Sequence, residues 1–104
     1  MNIQELMRQA QQLQKKMLDA QDEIAKKIVE ASAGGGIVKV KVNGALEIVG
    51  IEIDPSVVDP NDVTMLQDLV VAAVNEGLRK AKEMKEQEIA KLTGGIKLPG
   101  MGMM

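Results

Sequence analysis

The chain has 104 residues, none of them His, Cys, Phe, Tyr or Trp, and a formal net charge of −2. Without His or Cys it lacks the ligands of nearly all zinc, haem and iron–sulfur sites, and it has no disulfides, thiol nucleophiles or Ser-His-Asp triads. Without aromatic rings there is no platform for splayed bases, which sets aside base-stacking OB and RRM folds. No apolar run approaches the roughly 20 residues of a membrane span.

Residues 2–31 read as one long helix, not as a secretion signal. Asn2, followed three residues later by Glu5, resembles a capping box. Ile3, Leu6, Ala10, Leu13, Met17, Ala20 and Ile24 recur at spacings of three and four, with Ile28 slightly offset. This is a heptad seam. Gly34-Gly35-Gly36 is read as the helix stop and a flexible corner. Residues 37–43 alternate strictly, placing Val38, Val40 and Val42 on one face of a strand. Asn43-Gly44 predicts a type I′ hairpin turn. Residues 45–53 resume as strand, and Gly50 marks a bulge or a break into a third strand.

Asp54-Pro55 ends the sheet. Asp59 and Pro60 then predict the cap and first turn of a second helix. Its apolar positions are Val63, Leu66, Val70, Ala73, Gly77, Ala81 and Met84, and Gly94-Gly95 stops it near Thr93. The expected architecture is α+β: a long helix, a small antiparallel sheet of two to three strands, and a second long helix. Residues 1–95 form one domain, and residues 96–104 a flexible Gly/Met tail. Both helices are too long for their sheet. Their narrow seams predict a homodimer, in which a second copy covers what the sheet does not.

The glycine loops do not make a phosphate-binding loop. That motif runs strand, loop, helix and ends in Lys-Ser/Thr, whereas the order here is helix, loop, strand. Glu47, Glu52, Asp54, Asp59 and Asp62 read as solvated faces and caps, because nothing in the sequence predicts a pocket that would shift their pKa values. Met17 and Met84 read as gap-filling core residues. No enzyme activity, cofactor, metal or small-molecule substrate is expected.

The charged residues carry more information. Residues 44–76 hold seven acids and no base, whereas residues 77–104 hold six bases and three acids. Sorted charge makes local fields that a net value hides. Basic side chains lie along both helices: Arg8, Lys15, Lys16, Lys26 and Lys27 on the first, and Arg79, Lys80, Lys82, Lys85 and Lys91 on the second. Many could form i,i+4 pairs, such as Asp22–Lys26, Glu23–Lys27, Glu76–Lys80, Arg79–Glu83 and Lys82–Glu86. Such pairs solubilise an exposed helix. The sorting favours a second use. Two copies of each basic stretch projecting from an acidic body would gather duplex DNA through phosphate contacts. The ten basic residues are therefore the candidate DNA-binding set.

The ordered set of pieces resembles the YbaB/EbfC family of bacterial nucleoid-associated proteins. The pieces are the helix opening Met1-Asn2-Ile3, the corner Ala33-Gly34-Gly35-Gly36 and the strand Val38 to Gly44. They continue with Ile51-Glu52-Ile53-Asp54-Pro55, the helix core Val71 to Asn75, Gly94-Gly95 and Leu98-Pro99-Gly100-Met101. The resemblance implies a tweezer-like homodimer that binds double-stranded DNA in the cytoplasm, at the nucleoid. It also implies a role in nucleoid organisation and gene regulation, and no catalysis. The alternative is a helical protein-interaction module with incidental DNA affinity.

Overall fold

Hydrophobic alternation at period two and helical seams at three and four do assemble into an α+β layout with a three-stranded sheet, whose first strand lies where the sequence pattern reads as helix. The structure, a computed structural model, describes residues 2–92. The order is α1 (Ile3–Lys26), β1 (Ile28–Ala33), β2 (Val38–Asn43), β3 (Ile48–Ile53), a 3-10 turn (Pro55–Val57) and α2 (Val63–Leu92). The strands form one antiparallel sheet in the order β1-β2-β3. The expected tail, residues 96–104, lies outside the described residues.

Val38, Val40 and Val42 are fully buried and form the centre of the core. Burying each such side chain contributes about 1.5–3 kcal/mol. The α2 face over them is small: Ala73, Gly77 and Ala81 are all buried. Small residues let the helix axis approach the sheet closely, with Leu66, Leu69, Val70, Val74 and Leu78 packed around the contact. A β-carbon on Gly77 would stand 2.8 Å from Val42 Cγ2. Val42 is stiff at χ1 and fully buried. Gly77→Ala gains about 1 kcal/mol of helix propensity but crowds the core by about 1–3 kcal/mol. The expected result is a net loss of about 1 kcal/mol in urea unfolding. A stabilised variant would show that the helix can lift without cost.

Three sequence expectations are corrected. The first helix ends at Lys26, and residues 28–33 form β1. Val29, Ala31 and Ala33 point toward α2, while Ile28, Glu30 and Ser32 point away. Alanine is neutral between the two periodicities, so the strand looked like a fading helix. Consequently Gly34–Gly36 is not a helix stop. It is the turn between β1 and β2, with φ values of 65°, 72° and 100° that side-chain-bearing residues rarely adopt.

The β2–β3 connection is not a type I′ turn either. Asn43 N–H donates to Glu47 O and Leu46 N–H to Asn43 O, while the Asn43 side-chain oxygen accepts from Ala45 and Glu47 N–H. The residue with positive φ is Leu46, at 62°. This is the three-residue hairpin loop that ends in a left-handed residue. Gly44 serves another purpose: it lets the turn touch the last turn of α1.

Finally, α2 starts at Val63, and Asp62 rather than Asp59 accepts a first-turn N–H, from Met65. Asp59 instead accepts from Asn61 N–H within the preceding turn. Two Asp residues three apart offered the same cap signal, and the nearer one took it. At the other end of the sheet, β3 carries a register shift opposite Lys41 and Val42, beside Gly50, so the expected bulge is present without a strand break.

Two features of this architecture position the candidate site. First, α1 meets α2 and the sheet through its last turns, where Ile24 is buried. Every described residue from Asn2 to Lys16 is exposed. The first half of α1 is thus an arm of about 20 Å at 1.5 Å per residue, and the molecule measures 73 × 25 × 16 Å. Second, α2 lies over β1 and β2 and leaves β3 uncovered. Ile51 and Ile53, which pair with Val40 and Val38 on the core face, remain 46% and 37% exposed.

Candidate nucleic-acid interface

Each of the ten basic residues has a local environment that decides whether its charge is available. Arg79 is the most committed. Its guanidinium donates to both oxygens of Glu76 and to Glu83 Oε1 at 2.8 Å. The bond from Arg79 holds the Glu76 carboxyl below its ordinary range, and the same pairing raises Arg79 further. Two carboxylates around one guanidinium leave little net field.

Lys27 bonds Glu88 Oε1 at 2.8 Å, and Lys91 approaches the same oxygen at 3.6 Å. Lys80 Nζ donates to the Glu30 backbone carbonyl at 3.2 Å, fastening α2 to the outer edge of β1. Arg8 lies 3.5 Å from Glu5 and Lys26 4.0 Å from Glu23, both fully on the surface. Such exposed pairs hold weakly.

Lys15, Lys16, Lys82 and Lys85 remain. None has an ion-pair or hydrogen-bond partner among the described residues. Lys15 and Lys16 sit on the α1 arm. Lys82 and Lys85, three apart, share one side of α2. At 100° per residue Lys82 turns away from the sheet-facing Ala81. The Lys85 stem passes the cleft lined by Ile24, Gly44 and Ile89, so its ammonium can reach water while its methylenes cover apolar surface. The structure thus divides the set into four free cations, two loosely paired and four engaged.

Charge counting alone missed two groups. Gln4, Gln11 and Gln12 surround Arg8 and Lys15 on the α1 side opposite the apolar seam, where their amides can donate to phosphate oxygens. Glu88 was missed as a tie between elements, because its partner Lys27 is distant in sequence. Lys39 and Lys41 occupy the open sheet face, opposite Ser32 and Glu52 and opposite Glu30 and Gly50. Carboxylates on neighbouring strands offset them.

Asp54 caps the 3-10 turn, accepting from Ser56 N–H and Oγ–H, and these bonds hold its carboxyl below the usual range. Among the described residues no cluster of carboxylates could hold a metal ion, and no helix is long and apolar enough to cross a membrane.

The Lys27–Glu88 bond holds the Glu88 carboxyl below its ordinary value. A depressed folded-state pKa stabilises the fold above the unfolded value, and that contribution disappears as pH falls through the folded value. Wild type is therefore expected to exceed Glu88→Gln in stability at neutral pH. The difference should vanish in acid, below the ordinary glutamate range. A difference that persists or grows in acid, in urea melts across pH, would refute the assignment.

Comparison with known proteins places these features in context. Residues 1–96 match the YbaB/EbfC DNA-binding family. The chain is 56% identical over 95 residues to a nucleoid-associated protein of Syntrophobacter fumaroxidans, covering 91% of this chain and 86% of that one. It is 52% identical over 100 residues to a nucleoid-associated protein of Pelotomaculum thermopropionicum, covering 96% and 95%. Its fold resembles the crystal structure of an uncharacterized Helicobacter pylori protein, with a TM-score of 0.75 at 24% identity over 90% of this chain and 99% of that one.

Proposed function

The chain belongs to the YbaB/EbfC DNA-binding family, and on that premise we propose that it is a homodimeric nucleoid-associated protein of the bacterial cytoplasm. It holds double-stranded DNA through phosphate contacts and acts in nucleoid organisation and gene regulation. The observation that carries this reading is the set of four uncompensated lysines on the α1 arm and the later half of α2, set apart from the acidic stretch of residues 44–76. Names of close relatives point the same way.

The dimer is supported by β3. Its core-face isoleucines are open to water, and its outer edge is a row of unpaired backbone groups, a combination that edge strands ordinarily avoid. A second copy covers both by symmetry. Two copies present eight free lysines, so the logarithm of the binding constant should fall with the logarithm of salt at a slope of roughly −7. A gel shift on random-sequence duplex across a salt series tests this. Absence of retardation at low salt would overturn the DNA reading. Sedimentation tests the dimer: Ile51→Lys with Ile53→Lys should release it, and an unchanged mass would exclude β3 as the contact.

A further inference from the structure

The α1 arm carries a second apolar surface, separate from β3. Ile3 is 72% and Leu13 62% exposed, and Leu6 and Met7 are more than half exposed. An isolated helix of this length is marginal in water, and its stability ordinarily comes from packing an apolar face. The seam here is only two positions wide per heptad, the width that one partner helix fills.

We propose that the α1 arms of two copies pair antiparallel through Ile3, Leu6, Ala10 and Leu13, joining separate dimers. This rests on the β3 homodimer described above. Three observations select the second copy and its direction. With Ile3 opposite Leu13 and Leu6 opposite Ala10, each layer sets one large side chain against another or against the small Ala10. A parallel pair would stack Ala10 on Ala10 and leave a gap. The flanking positions fall symmetrically, Met7 beside Met7 and Gln9 beside Gln9, with no charge to oppose the approach. Arg8, Lys15 and Gln12 lie on the other side of the helix and stay open to DNA.

Geometry fixes the consequence. Antiparallel arms put the two bodies at opposite ends of the paired segment, so two chains joined through α1 cannot also meet through β3. The two contacts belong to different pairs, and together they link dimers end to end. Each linked particle then presents the free lysines of more than one dimer.

Sedimentation of the full chain at tens of micromolar, with four proteins, tests the scheme. Wild type should exceed two chains per particle. Leu6→Glu with Leu13→Glu should fall to two, Ile51→Lys with Ile53→Lys should also fall to two, and the combination should be monomeric. Wild type at two chains, unchanged by the α1 substitutions, overturns the arm pairing and leaves the β3 dimer standing. A mass indifferent to the β3 substitutions overturns the β3 dimer instead.

Because the chain has no cysteine, single-cysteine variants give an independent reading with the seam intact. Met7→Cys and Gln9→Cys should each be joined into covalent pairs by a short bismaleimide, at least tenfold more than Gln12→Cys. Equal yields at all three positions would overturn the antiparallel arrangement.

Discussion

Gly44→Ala is expected to cost at least about 3 kcal/mol and to release α1 from the body, because the new methyl group would collide with backbone, not with a movable side chain. Gly44 is buried against the end of α1. A β-carbon there would lie 1.9 Å from the Ile24 carbonyl oxygen and 2.6 Å from its carbon. The Gly44 N–H also donates to Lys27 O at 3.0 Å, so the turn cannot retreat without losing that bond. Crowding of side chains typically costs 1–3 kcal/mol, and here the obstructing atom is fixed by the helix hydrogen bonds that end at Lys27. Urea unfolding gives the loss. Hydrogen exchange locates it: protection should fall in the last turns of α1 before it falls in β2. Unchanged stability would mean that the α1 joint is loose and the arm has no fixed direction. Gly77→Ala, by contrast, meets a side-chain methyl and should cost less.

These two glycines show where the sequence was readable and where it was not. The β2 strand was legible because Val38, Val40 and Val42 alternate with Lys39, Lys41 and Asn43, and no helix can satisfy that pattern. The body of α2 was legible because its seam holds to the three–four spacing. The first strand was not, since Ala31 and Ala33 suit a helix as well as the packing they actually make against the core, Ala31 directly under Gly77. Asn43-Gly44 announced a hairpin correctly, but the glycine answers to Ile24, twenty residues earlier, and a local turn rule cannot register that.

The candidate site divides the same way. Which residues are basic was plain. Which of them are free depended on partners far along the chain, namely Glu88 for Lys27 and the Glu30 carbonyl for Lys80. Even the local pairs rearranged, with Glu76 turning to Arg79 instead of Lys80, and Glu23 to Lys26 instead of Lys27. Spacing on a helix permits both i,i+3 and i,i+4, and rotamers choose.

That sorting has its largest consequence for DNA affinity. Replacing Lys15, Lys16, Lys82 and Lys85 together by alanine removes eight charges from a dimer. It should weaken binding on the order of a thousandfold at moderate salt, alike on all sequences, and flatten the salt slope toward zero. The fold should survive, because none of the four has a polar partner among the described residues and only the Lys85 stem covers apolar surface. Loss of net charge alone could mimic part of this effect, so the decisive comparison holds charge constant. Lys82→Ala with Lys85→Ala removes as much charge as Lys39→Ala with Lys41→Ala. The first pair should reduce the magnitude of the slope by roughly 3 to 4, since four phosphate contacts are lost per dimer at about 0.9 each. The second pair lies on the sheet face opposite α2, interleaved with Glu30 and Glu52, and should leave the slope nearly unchanged. Equal slopes for the two double variants would mean that DNA responds to the mean charge of the protein, and the four lysines would then have no claim to be its contact surface.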